Sequence, residues 1–286
     1  MNGNLIARIA VAVVAIPSIL WISYQSGWWL FGMLLLFALV GTAEFLVREK
    51  YRVSRPAFWI VLLFIVLLFS VLSGLCPPAI SNLCVVLGGA VADCALVLLV
   101  GFFLFSAVLF AIGKSSPSEL FTCHSRLFWG VTYLGLTYPV VFLVGSGVND
   151  YHGGDSLLFL FGLLWVGDTA AMGFGSWLGK HKLAPTVSPK KTVEGLVGGI
   201  IGALAIGVLM YFWKFNYFGL WHTLALAAGC SVFGQLGDLV ESMWKRSLGI
   251  KDSSAIIPGH GGILDRFDSL LFAAPFMYAY LKLVAP

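Results

Sequence analysis

The chain has 286 residues, of which 59% are hydrophobic, 15% aromatic and only 10% charged, with a mean hydropathy of +0.95 and a formal net charge of +4. A soluble domain of this length carries far more charge, so the composition excludes one and defines an integral membrane protein. The basic residues are spread over separate loops, which excludes a nucleic-acid surface.

A helix needs about 20 apolar residues to cross the hydrocarbon. Nine such spans are predicted, at 5–23, 28–47, 57–75, 85–112, 127–146, 156–178, 193–213, 219–242 and 268–284. The fourth is ambiguous in length and contains Asp93 and the pair Gly88, Gly89. Membrane β-strands are shorter and alternate in polarity, and no segment does so. The expected fold is therefore all-α and polytopic.

With the N-terminus in the cytoplasm, the inside segments hold Arg8, Arg48, Lys50, Arg52, Arg55, Lys114, Arg126, Lys180, Lys182, Lys190, Lys191, Lys245, Arg246, Lys251 and Arg266. That is 15 of the 17 Lys and Arg, leaving Lys214 and Lys282 outside. The asymmetry predicts a cytoplasmic N-terminus and cytoplasmic charge-rich loops, in a multi-pass protein of the inner membrane. Arg8 is the only charge before Glu44, and no small-residue cleavage site follows the first span, so no cleaved signal is expected. Five cysteines (Cys76, Cys84, Cys94, Cys123, Cys230) lack CxxC spacing and are expected to behave as small hydrophobes, with neither a zinc site nor a disulfide framework. Residues 1–150 place few polar groups in spans and are expected to be scaffold. Residues 151–286 hold nearly all the chemistry and are expected to form a catalytic region with a polar cavity facing the cytoplasm.

Asp168 lies near the middle of the sixth span, where an ionisable group costs several kcal/mol unless it meets a polar cavity or a partner. Gly167, Ala171, Gly175 and Gly179 recur every four residues beside it, so that face approaches another helix closely and Asp168 is expected to point into the bundle. In the next loop, Ser188 and Pro189 read as a helix start, cap followed by first-turn proline. Lys190 and Lys191 would then stand in a first turn where the helix dipole disfavours cations. A bound phosphate would resolve that conflict; lysines facing lipid headgroups are the plainer reading. Gly195, Gly199, Ala203 and Gly207 give the following helix its own small-residue face.

Asp238, Glu241, Ser242 and Lys245 share one face at the end of the eighth span. The run Ser242 to Asp268 then gathers five basic side chains (Lys245, Arg246, Lys251, His260, Arg266) and three carboxylates (Asp252, Asp265, Asp268) in 27 residues. Gly259, Gly261 and Gly262 form a turn whose N–H groups can line a phosphate pocket. A solvated loop explains these charges but not the glycine–acid spacing. Asp265 and Asp268 share a face of the ninth span, and Asp238 and Asp265 are placed to converge on one Mg²⁺. His260 is either an acid–base group or a donor to phosphate. No Ser–His–Asp order or nucleophile elbow is present.

The run fits S-x-x-K-R-x₄-K-D followed by G-H-G-G-x-x-D-R-x-D, with a match at Ser242, Lys245, Arg246, Lys251, Asp252, Gly259, His260, Gly261, Gly262, Asp265, Arg266 and Asp268. It resembles the signature of the phosphatidate cytidylyltransferase (CDP-diacylglycerol synthase) family. GDLVES and WVGDT…GKHKLAP…SPKKTVEG are similar to bacterial members, so the resemblance covers roughly 160–270 strongly. Met172 departs from the aromatic residue that many relatives carry. The resemblance implies a reaction of CTP with phosphatidate, giving CDP-diacylglycerol and pyrophosphate. It implies metals on Asp238 and Asp265, and catalytic roles for these two with Asp268, Lys251, Asp252 and His260. Substrate contacts then fall to Asp168, Ser188, Lys190, Lys191, Ser242, Lys245, Arg246, Gly261, Gly262 and Arg266. Mg²⁺ is the expected cofactor, with a second, monovalent cation left open. The expected partners are CTP, phosphatidate, the bilayer and, as an option, a second copy of the chain in a homodimer. A CTP-dependent lipid kinase is disfavoured by the complete glycine–acid motif. A secondary transporter is disfavoured because the polar residues concentrate in one half of the chain.

Overall fold

The computed structural model describes residues 3–74, 91–111, 115–148, 152–215, 219–257, 259 and 261–284. Among these residues the chain forms nine helices and one hairpin: α1 (Gly3–Gln25), α2 (Gly27–Arg48), α3 (Pro56–Leu72), α4 (Val91–Ala111), α5 (Pro117–Ser146), α6 (Gly153–Leu178), β1 (Lys182–Ala184), β2 (Ser188–Thr192), α7 (Val193–Trp213), α8 (Leu220–Ser247) and α9 (Leu264–Leu283). Six of them, α2, α4 from Cys94 onward, α5, α6, α7 and α8, are long and apolar enough to cross a membrane. Shorter apolar stretches lie at Val13–Gln25 and Pro56–Leu72. The protein is an all-α polytopic membrane protein. Residues 85–90 of the predicted fourth span, with Gly88 and Gly89, lie outside the described residues.

Several predicted boundaries differ from the observed ones, among them the end of α8 (Ser247 against 242) and the start of α9 (Leu264 against 268), and two differences have clear local reasons. Helix α5 begins ten residues before the predicted span, because Ser116 accepts a hydrogen bond from the Glu119 N–H at 3.3 Å and Pro117 starts the helix. Capping, not hydropathy, sets that end. Ser188 and Pro189 do not start a helix. They lie in β2, which pairs antiparallel with β1, Lys182 opposite Thr192 and Ala184 opposite Ser188. Thr192 is the true cap of α7, its hydroxyl accepting from the Gly195 N–H at 3.1 Å.

The chain divides into two compact units, Met1–Met33 with Val141–Pro286, and Leu34–Val140. In the first, the two small-residue faces expected from sequence meet each other. A Cβ added to Gly195 would lie 2.9 Å from the Ala171 carbonyl oxygen and 3.3 Å from the Gly175 Cα, so no larger residue fits this contact of α6 with α7. Helices α8 and α9 pack against the same group, with Gly234 and Gly237 of α8 against Leu164 and the Asp268 carbonyl. At the far end from the hairpin, the Lys214 ammonium sits 2.8 Å from Asp155 and over the Tyr24 ring. Exposed Trp213 and Trp221 ring this end and exposed Trp177 the other, as expected of residues that anchor at a membrane interface.

In the second unit, Phe45 fills the space beside Gly130, and Phe64 of α3 stacks on Phe102 of α4 with ring centroids 4.5 Å apart. Leu34, Leu46, Ile65, Leu68 and Tyr138 are fully enclosed and form its core.

Candidate functional site

The polar residues of the first unit gather where the end of α8, the start of α9 and the β1–β2 hairpin come together. The α8 face predicted from its spacing forms, because residues three and four apart stack on one side of a helix. Asp265, in the first turn of α9, is the most heavily bonded group there. Its Oδ1 lies 2.7 Å from the Lys245 ammonium. Its Oδ2 accepts from the N–H groups of Ser253 and Gly262, both at 2.8 Å, and from the Ser253 hydroxyl at 2.9 Å. One carboxylate thus ties the 248–263 loop to two helices.

The glycine turn is shaped for this contact. Gly261 has φ +84°, a conformation that L side chains rarely adopt, and a Cβ there would lie 2.7 Å from Asp265 Oδ2. Ile257 and Gly261 form a bridge across the turn, with the Ile257 N–H donating to the Gly261 carbonyl at 2.9 Å. His260 lies outside the described residues.

Asp238 is half-buried and pairs with a second lysine from a different element. Its Oδ2 is 2.7 Å from the Lys191 ammonium, and its Oδ1 accepts from the Ser242 hydroxyl at 3.1 Å. Asp168, on α6 beside the small-residue stripe, is solvent-exposed but stands on the side that faces the polar cluster. That stripe is filled by α7, and Asp168 lies within electrostatic range of Asp268, Asp238 and Lys191. Asp268 is half-buried, its Oδ1 accepting from the Ser269 N–H at 2.6 Å.

The hairpin that delivers Lys191 is held by Glu194, whose carboxylate accepts from the N–H groups of Lys180 at 3.1 Å and His181 at 3.2 Å. His181 Nδ1 lies 2.6 Å from its other oxygen. Because strand side chains alternate, Lys191 faces α8, where its ammonium also donates to the Gln235 carbonyl at 3.4 Å, while Lys190 is exposed. Arg246 donates to the carbonyls of Ile250 at 2.8 Å and Val187 at 3.4 Å, joining the loop to the hairpin turn. Ser188 is half-buried at the start of β2.

Lys191, Asp238 and Ser242 thus form one bonded group and Lys245, Asp265 and Gly262 a second, with Asp268 within electrostatic range of both Asp238 and Lys245. Lys251, Asp252, Arg266 and Lys190 are exposed and make no ion pair among the described residues. Three further residues belong to the cluster. Glu241 is 2% exposed, and its carboxylate lies 3.4 Å from the Lys245 ammonium and against the Asp268 carboxyl group. Its place on the α8 face was visible in the spacing. Glu194 follows the helix cap by two residues, a weak signal of a local bond. Nothing in the sequence singles out Ser253.

The oxygen donors suit a hard divalent cation, which takes carboxylates, water and substrate phosphates. Each oxygen of Asp238 accepts one partner and keeps a lone pair. At Asp265 the less occupied oxygen is Oδ1, now facing Lys245. Among the described residues, no group of three or more His, Cys, Asp or Glu side chains is gathered to hold a metal ion.

The helices and this cluster define a multi-span membrane protein whose polar site is made of carboxylates, lysines and glycine-turn N–H groups. Residues 6–284 match the model of the cytidylyltransferase family, and the chain belongs to that family. Over 147 residues it is 44% identical to a phosphatidate cytidylyltransferase of Staphylococcus haemolyticus (strain JCSC1435), covering 51% of this chain and 55% of that one. Over 148 residues it is 48% identical to the same-named protein of Staphylococcus saprophyticus and 45% to that of Staphylococcus aureus (strain COL), again covering 51% of this chain and 55% of each. The match thus spans about half the length of these curated relatives.

Proposed function

We propose that the chain is a phosphatidate cytidylyltransferase, which transfers CMP from CTP to phosphatidate and releases pyrophosphate. The observation that carries this reading is the pairing of Asp238 with Lys191 and of Asp265 with Lys245, at the motif that ends α8 and starts α9. The names of the relatives point the same way. A phosphate oxygen of phosphatidate attacks the α-phosphorus of CTP. A new P–O bond forms there, the bond from that phosphorus to the bridging oxygen of the β-phosphate breaks, and pyrophosphate leaves. No protein nucleophile is required, so the site's task is positioning and charge compensation.

Lys191 and Lys245 sit between carboxylates and are the cations nearest to incoming phosphates. Lys190, exposed on the same strand, meets the nucleotide or lipid headgroup from outside. Gly262 and the turn hold Asp265 in place through its own N–H contact. Asp238 and Asp265 are the residues that would hold Mg²⁺. When bound, the ion offsets the negative charge that accumulates as two polyanions meet. Lipid substrate and water-soluble nucleotide require a site reached from both phases, so the cluster is assigned to the cytoplasmic face of an inner membrane.

Purified protein in detergent, given CTP, Mg²⁺, phosphatidate and a competing lipid alcohol such as diacylglycerol, should release pyrophosphate and form a CDP-lipid in equal amounts. Formation of CDP and a phosphorylated lipid alcohol instead would establish a kinase and overturn the assignment.

A further inference from the structure

The second unit contains an apolar groove that the proposed reaction does not use. It lies between α3 and α4, has a volume of about 320 Å³, and is walled by Tyr51, Ile60, Phe102, Phe105, Leu109 and Leu127. Ile60, Phe105 and Leu109 are 46%, 53% and 47% exposed, so the groove opens sideways, toward the surface that bilayer lipid covers. Apart from Tyr51 at one end, the polar side chain among its lining residues is already satisfied. The Ser106 hydroxyl donates to the Phe103 carbonyl at 3.0 Å and lies 3.0 Å from His124 Nε2. The groove therefore suits a hydrocarbon.

Its length fits one leaflet. The lining residues of α4 run from Phe102 to Phe110. At 1.5 Å per residue that is about 12 Å, slightly less than half of a hydrocarbon core of about 30 Å. One end of the groove reaches Ala57 and Tyr51, where the α2–α3 loop lies.

That loop carries Lys50, Arg52 and Arg55, all exposed, none making an ion pair among the described residues. The nearby carboxylate of Glu49 is engaged by Arg126 at 3.6 Å. Tyr51 is half-buried at the mouth. Burial first, then Cys123 and Glu49, push its phenol above the ordinary range, so it keeps its proton as a donor. Exposed Trp59 donates to the Val53 carbonyl at 2.8 Å and braces the loop.

We infer that this unit holds an anionic phospholipid, one acyl chain in the α3–α4 groove and the phosphate headgroup on Lys50, Arg52, Arg55 and the Tyr51 hydroxyl. Charge complementarity selects the occupant: a zwitterionic lipid gains as much from the groove but less from three unpaired cations. The inference does not depend on the proposed reaction.

Full-length protein reconstituted with bromine-labelled acyl-chain lipids supplies the test, through quenching of Trp59 fluorescence. The Trp59 signal is isolated as the difference between the chain and its Trp59→Phe variant. Brominated phosphatidylglycerol should quench at lower mole fraction than brominated phosphatidylcholine. Each cation removed should weaken the preference about fivefold, and Lys50→Gln, Arg52→Gln, Arg55→Gln together about a hundredfold. Ile60→Phe, at an exposed groove position, should weaken quenching by both lipids. Equal quenching by the two lipids in the unaltered chain would overturn the headgroup assignment. Unchanged quenching in Ile60→Phe would overturn the groove. If the triple variant does not fold, Arg52→Gln alone must still show the fivefold step, and its absence counts against the inference.

Discussion

Asp265→Asn separates the anchoring role that the Asp265 carboxylate has in the fold from the catalytic role proposed for it. The side chain is 4% exposed and faces four donors, one of them the Lys245 ammonium. The amide has a single carbonyl oxygen. Its better orientation keeps that oxygen toward Ser253 and Gly262 and turns the NH₂ toward the ammonium, so the charged bond is lost. A hydrogen bond to a charged group contributes about 1.5–3 kcal/mol, and a donor now opposes the lysine. Lys245 retains Glu241 at 3.4 Å, which limits the damage. A loss of about 2–3 kcal/mol follows, a fall in Tm of roughly 4–8 °C for a chain of this size. Thermal unfolding in detergent without Mg²⁺ reads this directly, since no ion contributes there. Turnover with Mg²⁺ should be abolished in the same variant. A double-mutant cycle with Lys245→Met should return most of the stability loss as coupling between the two residues. An unchanged Tm without Mg²⁺ would refute the anchoring role, and near-normal turnover at saturating Mg²⁺ would refute the catalytic one.

Gly261→Ala should cost at least about 1–2 kcal/mol from its left-handed backbone, and should lower turnover because the added Cβ meets Asp265 Oδ2; a fully active variant would show that the turn is free to move. Lys191→Gln breaks the pair with Asp238 and should reduce kcat/KM by roughly tenfold to a hundredfold, whereas Lys190→Gln, at an exposed position, should change only KM and by a few-fold; equal losses in steady-state assays would contradict the strand geometry. Glu194→Gln should leave the fold intact but speed tryptic cleavage after Lys182 and Lys190, and cleavage at the unaltered rate would mean that the carboxylate does not hold the hairpin.

Each of the nine helices among the described residues overlaps a predicted apolar span, and six of them are long and apolar enough to cross a membrane. Hydropathy misplaced the start of α5, where the capping residues Ser116 and Pro117 lie in a polar stretch beyond the apolar run. The glycine stripes of α6 and α7 were legible as faces, and the structure shows that they meet each other, a pairing no periodicity can specify. Asp238, Ser242, Lys245 and Asp265 were legible because helical spacing and motif order are both local. Ser253 was not, since its bond to Asp265 depends on how the 248–263 loop folds back.

The lysine pair shows how a local error alters a chemical argument. In the first turn of a helix, both ammonium groups would oppose the dipole, and an anion would be needed to relieve them. On β2 that conflict does not arise. The strand sends neighbouring side chains to opposite sides, so Lys191 reaches Asp238 while Lys190 remains free of ion pairs among the described residues. The N–H groups at the start of α7 are served by other means, Gly195 by the Thr192 hydroxyl and Val193 by the His181 carbonyl. A phosphate arriving here would therefore be met by one exposed lysine and by a second that must first release a carboxylate. The proposed reaction would use that exchange, because Asp238 is at hand to recapture its lysine once pyrophosphate has left.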